Sequence, residues 1–197
     1  GSNFLYKNNN GSFTELANEY EVQDKYENGR GTTLSDVFYR GQLDIVSSNW
    51  NGNHRIFALD GNEFRDIAQP DFNEPTRIRT VISADFDNDG FDEVFMNNIG
   101  QPNKFFKILE KFNYIRIQPI NKFGAPARGA TVTLISNLRK HSKTIDAGSG
   151  YLCQMEPVAH FGLRKGEKIR SVVIQWTNGQ KKSLKISKIN KTIKVKQ

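Results

Sequence analysis

Cysteine is nearly absent from this sequence: Cys153 is the only one among 197 residues. An intrachain disulfide is therefore excluded, and the chain is not a small scaffold stapled by cystines. Cys153 follows Tyr151 and Leu152, an apolar context in which a buried, inert thiol is expected. Long apolar runs are also missing, so no transmembrane segment is read. No leader pattern is read at the N-terminus, where Gly1-Ser2 reads as a cloning scar. Helical periodicity is hard to find anywhere. The three histidines, His54, His141 and His160, stand in no metal-ligand spacing, and His160, between Ala159 and Phe161, reads as a satisfied core or turn residue. No nucleophile elbow, P-loop or dinucleotide fingerprint occurs. These absences lean against an enzyme, and no catalytic residue is assigned.

Acidic residues are scarce in one half only. Residues 1–110 carry 10 Lys/Arg against 18 Asp/Glu, whereas residues 111–197 carry 18 Lys/Arg against 3 Asp/Glu. The net charge of +7 thus averages a balance of −8 and one of +15. So sharp a change near Glu110-Lys111 predicts two domains, 1–110 and 111–197. A basic face suits anionic partners such as acidic glycans. Opposite charges on the two halves suit self-association, as a dimer or a head-to-tail oligomer. A solvated lysine-rich surface is the plain alternative, and no nucleic-acid partner is expected.

What the sequence does contain is short β-like runs punctuated by turn residues. Leu43–Val46 and Arg55–Leu59 are bounded by Asn49-Trp50-Asn51-Gly52-Asn53 and Leu59-Asp60-Gly61-Asn62, whose Asn-Gly and Asp-Gly pairs supply the positive φ of tight hairpins. Ser171–Trp176 runs into Thr177-Asn178-Gly179-Gln180 and then the alternating Lys181–Ile186, a second hairpin signal. Ala130–Ile135 and Thr192–Lys196 read as further strands. The fold class is all-β.

The stretch Asp85-Phe86-Asp87-Asn88-Asp89-Gly90-Phe91-Asp92-Glu93 carries the most definite chemistry. Alternating carboxylates followed by glycine can wrap hard oxygen donors around one cation, of which Ca²⁺ fits best. Asp85, Asp87 and Asp89 would supply carboxylates, Phe91 its carbonyl, and Glu93 the closing ligand. Position 12 of a helix-loop-helix calcium loop would be Met96, so this is not an EF-hand. The loop is expected between two strands, Val81–Ala84 entering and Val94–Met96 leaving. An earlier copy lies 49 residues upstream: Asp36, Gly41 and Asp44 recur, but Phe38 and Arg40 replace two carboxylates. That copy is expected to be metal-free, with Arg40 pairing to Asp36 or Asp44. A repeat near 50 residues suits one propeller blade, and two copies cannot close a ring alone.

Several motifs resemble a known family. Asn3–Leu16 is similar to the opening strands of FG-GAP/VCBS repeats, and Ala84–Gly90 to their calcium loop. Phe123–Ala130 and Asp146–Leu163 resemble the ASPIC/UnbV domain. Together they resemble the family of cartilage acidic protein 1-like (CRTAC) proteins. The resemblance implies partial β-propeller-like blades followed by a small β-sandwich. It further implies an extracellular or cell-surface location, with the periplasm as the bacterial counterpart, Ca²⁺ in the repeats, and adhesion or protein interaction rather than catalysis. In the ASPIC/UnbV stretch, Gly148, Ser149, Gly150 and Tyr151 form either a ligand or interface loop or a tight turn, and Arg128 is expected near Asp146 or Glu156. Two other readings stand beside this one: a module for acidic polysaccharides stacking sugars on Trp50, Tyr151 or Trp176, and a metal-dependent hydrolase.

Overall fold

The computed structural model describes residues 1–146, 148 and 150–197. Its described residues form strands throughout, with one single-turn helix. In chain order the first group is β1 (Tyr6–Asn9), β2 (Ser12–Glu15), β3 (Gly29–Ser35), β4 (Asp44–Gly52), β5 (Arg55–Asp60), β6 (Glu63–Asp66), α1 (Pro70–Asn73), β7 (Thr76–Ala84), β8 (Glu93–Asn98) and β9 (Lys104–Phe106). The second is β10 (Asn113–Ile120), β11 (Thr131–Ser136), β12 (Lys140–Thr144), β13 (Ala159–Leu163), β14 (Ile169–Gln175), β15 (Lys181–Leu184) and β16 (Thr192–Lys196). The all-β reading holds, and the turn residues act as expected. Asn51 and Gly61 adopt φ of +54° and +62° at the β4–β5 and β5–β6 connections.

The two repeat copies form two blade-like antiparallel units. One is β3-β4-β5-β6 and the other β7-β8-β9, joined by a short irregular parallel contact between the ends of β4 and β7. Their cores are shared: Val37, Val46 and Ile56 pack with Ile78, Val81, Val94 and Met96. Gly31 lets the two blades touch backbone to backbone. A Cβ there would stand 2.8 Å from the Val81 amide nitrogen and 2.9 Å from the Thr80 Cα, so any side chain would force the blades apart.

The second group forms two sheets, β13-β10-β16 and β12-β11-β14-β15, closed on one core. Ile115, Ile117, Phe161 and Val195 from the first sheet meet Val132, Leu134, Val172 and Ile174 from the second. Each such side chain stabilises the fold by roughly 1.5–3 kcal/mol on burial. Strand β11 alternates as half-buried strands should, but β10 is buried on both faces from Tyr114 to Ile117. Its second face packs on the loops of the repeats.

Trp176 is a correction. It was expected among the stacking platforms, but it is 3% exposed and its indole N–H donates to the Ile120 carbonyl at 3.2 Å. Trp50 is half-buried, and the Arg79 guanidinium lies 4.5 Å from the centre of its ring. Cys153 is half-buried rather than buried, its Sγ 2.9 Å from the Thr80 hydroxyl.

Candidate metal centre

Strand β7 delivers Asp85 and strand β8 begins at Glu93, so the carboxylate loop closes one antiparallel hairpin, with Ala84 paired to Glu93. The loop is shaped by its own side chains. The Gly90 N–H donates to Asp85 Oδ2 at 3.0 Å, the Phe91 N–H to Asp89 Oδ1 at 2.9 Å and the Phe86 N–H to Glu93 Oε2 at 2.9 Å. Gly90 sits at φ +93°, where a side chain is strained, and a Cβ would also overlap the Tyr114 hydroxyl and ring.

The first copy has the same backbone. Tyr39 and Asn88 occupy equivalent positions at φ +52° and +63°, followed by Gly41 at +73° and Gly90 at +93°. Asp36 accepts from the Gly41 and Arg40 amides, both at 2.7 Å, as Asp85 accepts from Gly90. Arg40 pairs with Asp44, one of its two expected partners.

One carboxylate oxygen each from Asp85, Asp87 and Asp89 lies within 4.8 Å of the others. Asp85 Oδ1 is buried without a hydrogen-bond partner. Hard oxygens converging in this way fit a cation of the Ca²⁺ type. Glu93 lies at the same site but is turned toward the Phe86 amide, and Phe91 contributes its N–H to Asp89. A residue that the motif did not reveal completes the picture. Lys107, just after β9, places its ammonium against Asp87, 2.6 Å from Asp89 Oδ2 and 3.3 Å from Glu93 Oε1. The Lys107 contact holds the Asp87 carboxyl below its ordinary range, whereas burial pushes Asp85 and Glu93 above theirs.

The other side of the loop is closed by the second group of strands. Arg116, in the middle of β10 and 4% exposed, bridges Asp85 and Glu156. The Tyr114 hydroxyl donates to the Asp89 carbonyl at 3.2 Å, and His160 Nδ1 lies 3.6 Å from Asp92 Oδ2. The first loop is covered alike: Arg164 donates to the Arg40 carbonyl at 2.9 Å, and the Tyr39 ring lies 5.1 Å from that of His160. Glu156 is thus taken by Arg116, and Arg128 instead donates to the Asp146 carbonyl at 2.7 Å and to Gln154. Of the proposed ligand or interface loop, Tyr151 is 46% exposed, Gly150 sits near Thr80 and Cys153, Gly148 is exposed, and Ser149 lies outside the described residues.

Burial sets opposing pH responses in different parts of the chain. It lowers His54 and His160 to about 4 and raises Asp36 to about 7. The histidines stabilise the fold above pH 6.5, and that contribution is lost as pH falls toward 4. Asp36 acts in reverse: its contribution is greatest below pH 3.8 and is lost as pH rises toward 7. Asp36→Asn should therefore steepen the loss of stability between pH 7 and pH 5 by roughly 2 kcal/mol. Urea denaturation of both proteins at the two pH values checks this; parallel losses would refute the Asp36 assignment.

An FG-GAP-like repeat model matches residues 36–96, the span holding both loops, and an ASPIC and UnbV model matches residues 121–197. Across 91% of the chain, cartilage acidic protein 1 is 37% identical in Xenopus tropicalis, 35% in Mus musculus and 34% in Homo sapiens. The chain is homologous to cartilage acidic protein 1. It spans 38% of the length of these relatives. The two matched spans touch directly at His160, whose Nδ1 lies 3.6 Å from Asp92 Oδ2 and whose ring lies 5.1 Å from that of Tyr39. No helix among the described residues is long and apolar enough to cross a membrane.

Proposed function

We propose that this chain is a non-enzymatic, extracellular or cell-surface protein-interaction module whose second repeat loop binds one Ca²⁺. Asp85, Asp87 and Asp89 would hold the ion with the Phe91 carbonyl and Glu93. It would supply charge neutralisation and stiffness; the residues around it hold the loop and leave the partner to be met elsewhere. The observation that carries this reading is the convergence of three carboxylate oxygens in a loop clamped beneath β10. Asp87 and Asp89 are exposed and Asp85 is tied to β10 through Arg116, so the ion would fasten a surface hairpin loop to the packed strands, which supports a structural role. We take residues 1–110 and 111–197 as the two units, and the exposed Tyr151 beside Gly148 and Gly150 as part of the partner-facing surface. Self-association through the acidic and basic halves remains within this reading, and sedimentation at low salt tests it.

Melting with Ca²⁺ and with chelator tests the ion. At a hundredfold excess over Kd, binding to the folded state alone raises stability by about 2.7 kcal/mol. Asp87→Ala should abolish that gain, and identical melts with and without Ca²⁺ would sink the metal. Acidic-glycan binding is the weaker reading, since Trp176 is buried and Trp50 is covered by Arg79. A glycan array at varied salt separates it from capture of a protein partner, and Tyr151→Ala should weaken that capture.

A further inference from the structure

The two repeats carry their positive charge in different places, and the difference is reciprocal. The fifth loop position is Arg40 in the first copy and Asp89 in the second, 49 residues later. The same offset relates Lys107 to Ala58. The ladders make that equivalence structural. β8 and β9 pair Val94 with Phe106, so the next step of the ladder sets Glu93 opposite Lys107. β4 and β5 pair Ile45 with Phe57, so the next step sets Asp44 opposite Ala58.

Each loop therefore ends in a carboxylate with 0% side-chain exposure, Asp44 or Glu93, that needs a positive partner. In the first copy a guanidinium from inside the loop provides it, with a methyl group across the ladder. In the second copy the loop position is itself acidic and an ammonium arrives from across the ladder. That ammonium also meets Asp87 and Asp89, so one charge serves three carboxylates.

We infer that Lys107 is the tethered counter-cation of the second loop: its ammonium neutralises the carboxylates when no metal is bound, and Ca²⁺ enters only by displacing it. The displacement half of this inference rests on the calcium reading above; the counter-cation half does not. Lys107 is 28% exposed, which leaves its flexible side chain a way out to solvent. The loop then keeps its shape without metal, at a cost in metal affinity.

Lys107→Met and the wild-type chain are compared by calorimetric titration with CaCl₂ and by melting in EDTA. The variant should bind Ca²⁺ about tenfold more tightly, the scale of one competing unit charge at ion-pair distance. It should also melt at lower temperature in EDTA. Measurable but equal affinities would overturn the displacement and leave the calcium reading intact. Binding in neither protein would overturn the calcium reading, and the EDTA melts then judge the counter-cation alone. A lowered Tm in Lys107→Met that Asp89→Asn restores supports it, and an unchanged Tm refutes it. The double change Asp89→Arg with Lys107→Ala copies the first repeat's placement of the positive charge; it should keep the wild-type Tm in EDTA and bind no Ca²⁺, and a collapse of Tm there would contradict the equivalence.

Discussion

Arg116→Met should lower stability by about 4 kcal/mol, the scale for removing one partner of a buried ion pair. Arg116 and Asp85 are 4% and 1% exposed at the side chain, so water cannot replace the guanidinium beside Asp85. Glu156, 29% exposed, is better placed to recover hydration. Asp85→Asn in the Arg116→Met background should therefore return more stability than Glu156→Gln. Arg116 also binds the sandwich to the repeats, so its loss should split one urea transition into two. Trp50 and Trp176 lie in different units and report each separately by fluorescence. A single transition with less than about 1 kcal/mol lost would show that the bridge contributes no more than an exposed pair.

Gly90→Ala should cost about 3 kcal/mol, combining left-handed backbone strain with overpacking against Tyr114. Gly100 provides the control. It also has positive φ, +66°, but nothing lies within 4 Å of its would-be Cβ. Gly100→Ala should cost only the backbone share, about 1 kcal/mol. In a Tyr114→Ala background the added cost of Gly90→Ala should fall toward the same figure. Equal losses at the two glycines, measured by urea denaturation, would mean that the Tyr114 contact yields freely.

The hairpins were legible because Asn-Gly and Asp-Gly are local signals that need no knowledge of distant neighbours. The carboxylate loop was legible for the same reason, and its copy at Asp36 announced the shared backbone. Trp176 was misread although its burial was available: it shares a face with Val172 and Ile174 by the period of two. Arg116 was hidden more deeply. Tyr114-Ile115-Arg116-Ile117-Gln118 has the alternation of a strand with one wet face, and only packing against the repeats makes that face dry. Lys107 follows Phe105 and Phe106 with no motif around it. Its role depends on a ladder register that places it opposite Glu93, which a search for carboxylate spacing cannot reveal.

The parallel pairing of β10 with β16 has a consequence for the order in which the chain assembles. Arg116 pairs with Thr192 and Ile120 with Lys196, contacts 76 residues apart. β10 therefore keeps one open edge through the synthesis of everything between them, and contacts so distant in sequence form slowly. Arg116, which clamps the repeat loop, also donates to the Thr192 hydroxyl at 3.1 Å. The loop's final rigidity thus waits on β16, and a ribosome-bound chain not yet synthesised that far would present repeats already formed but not yet locked.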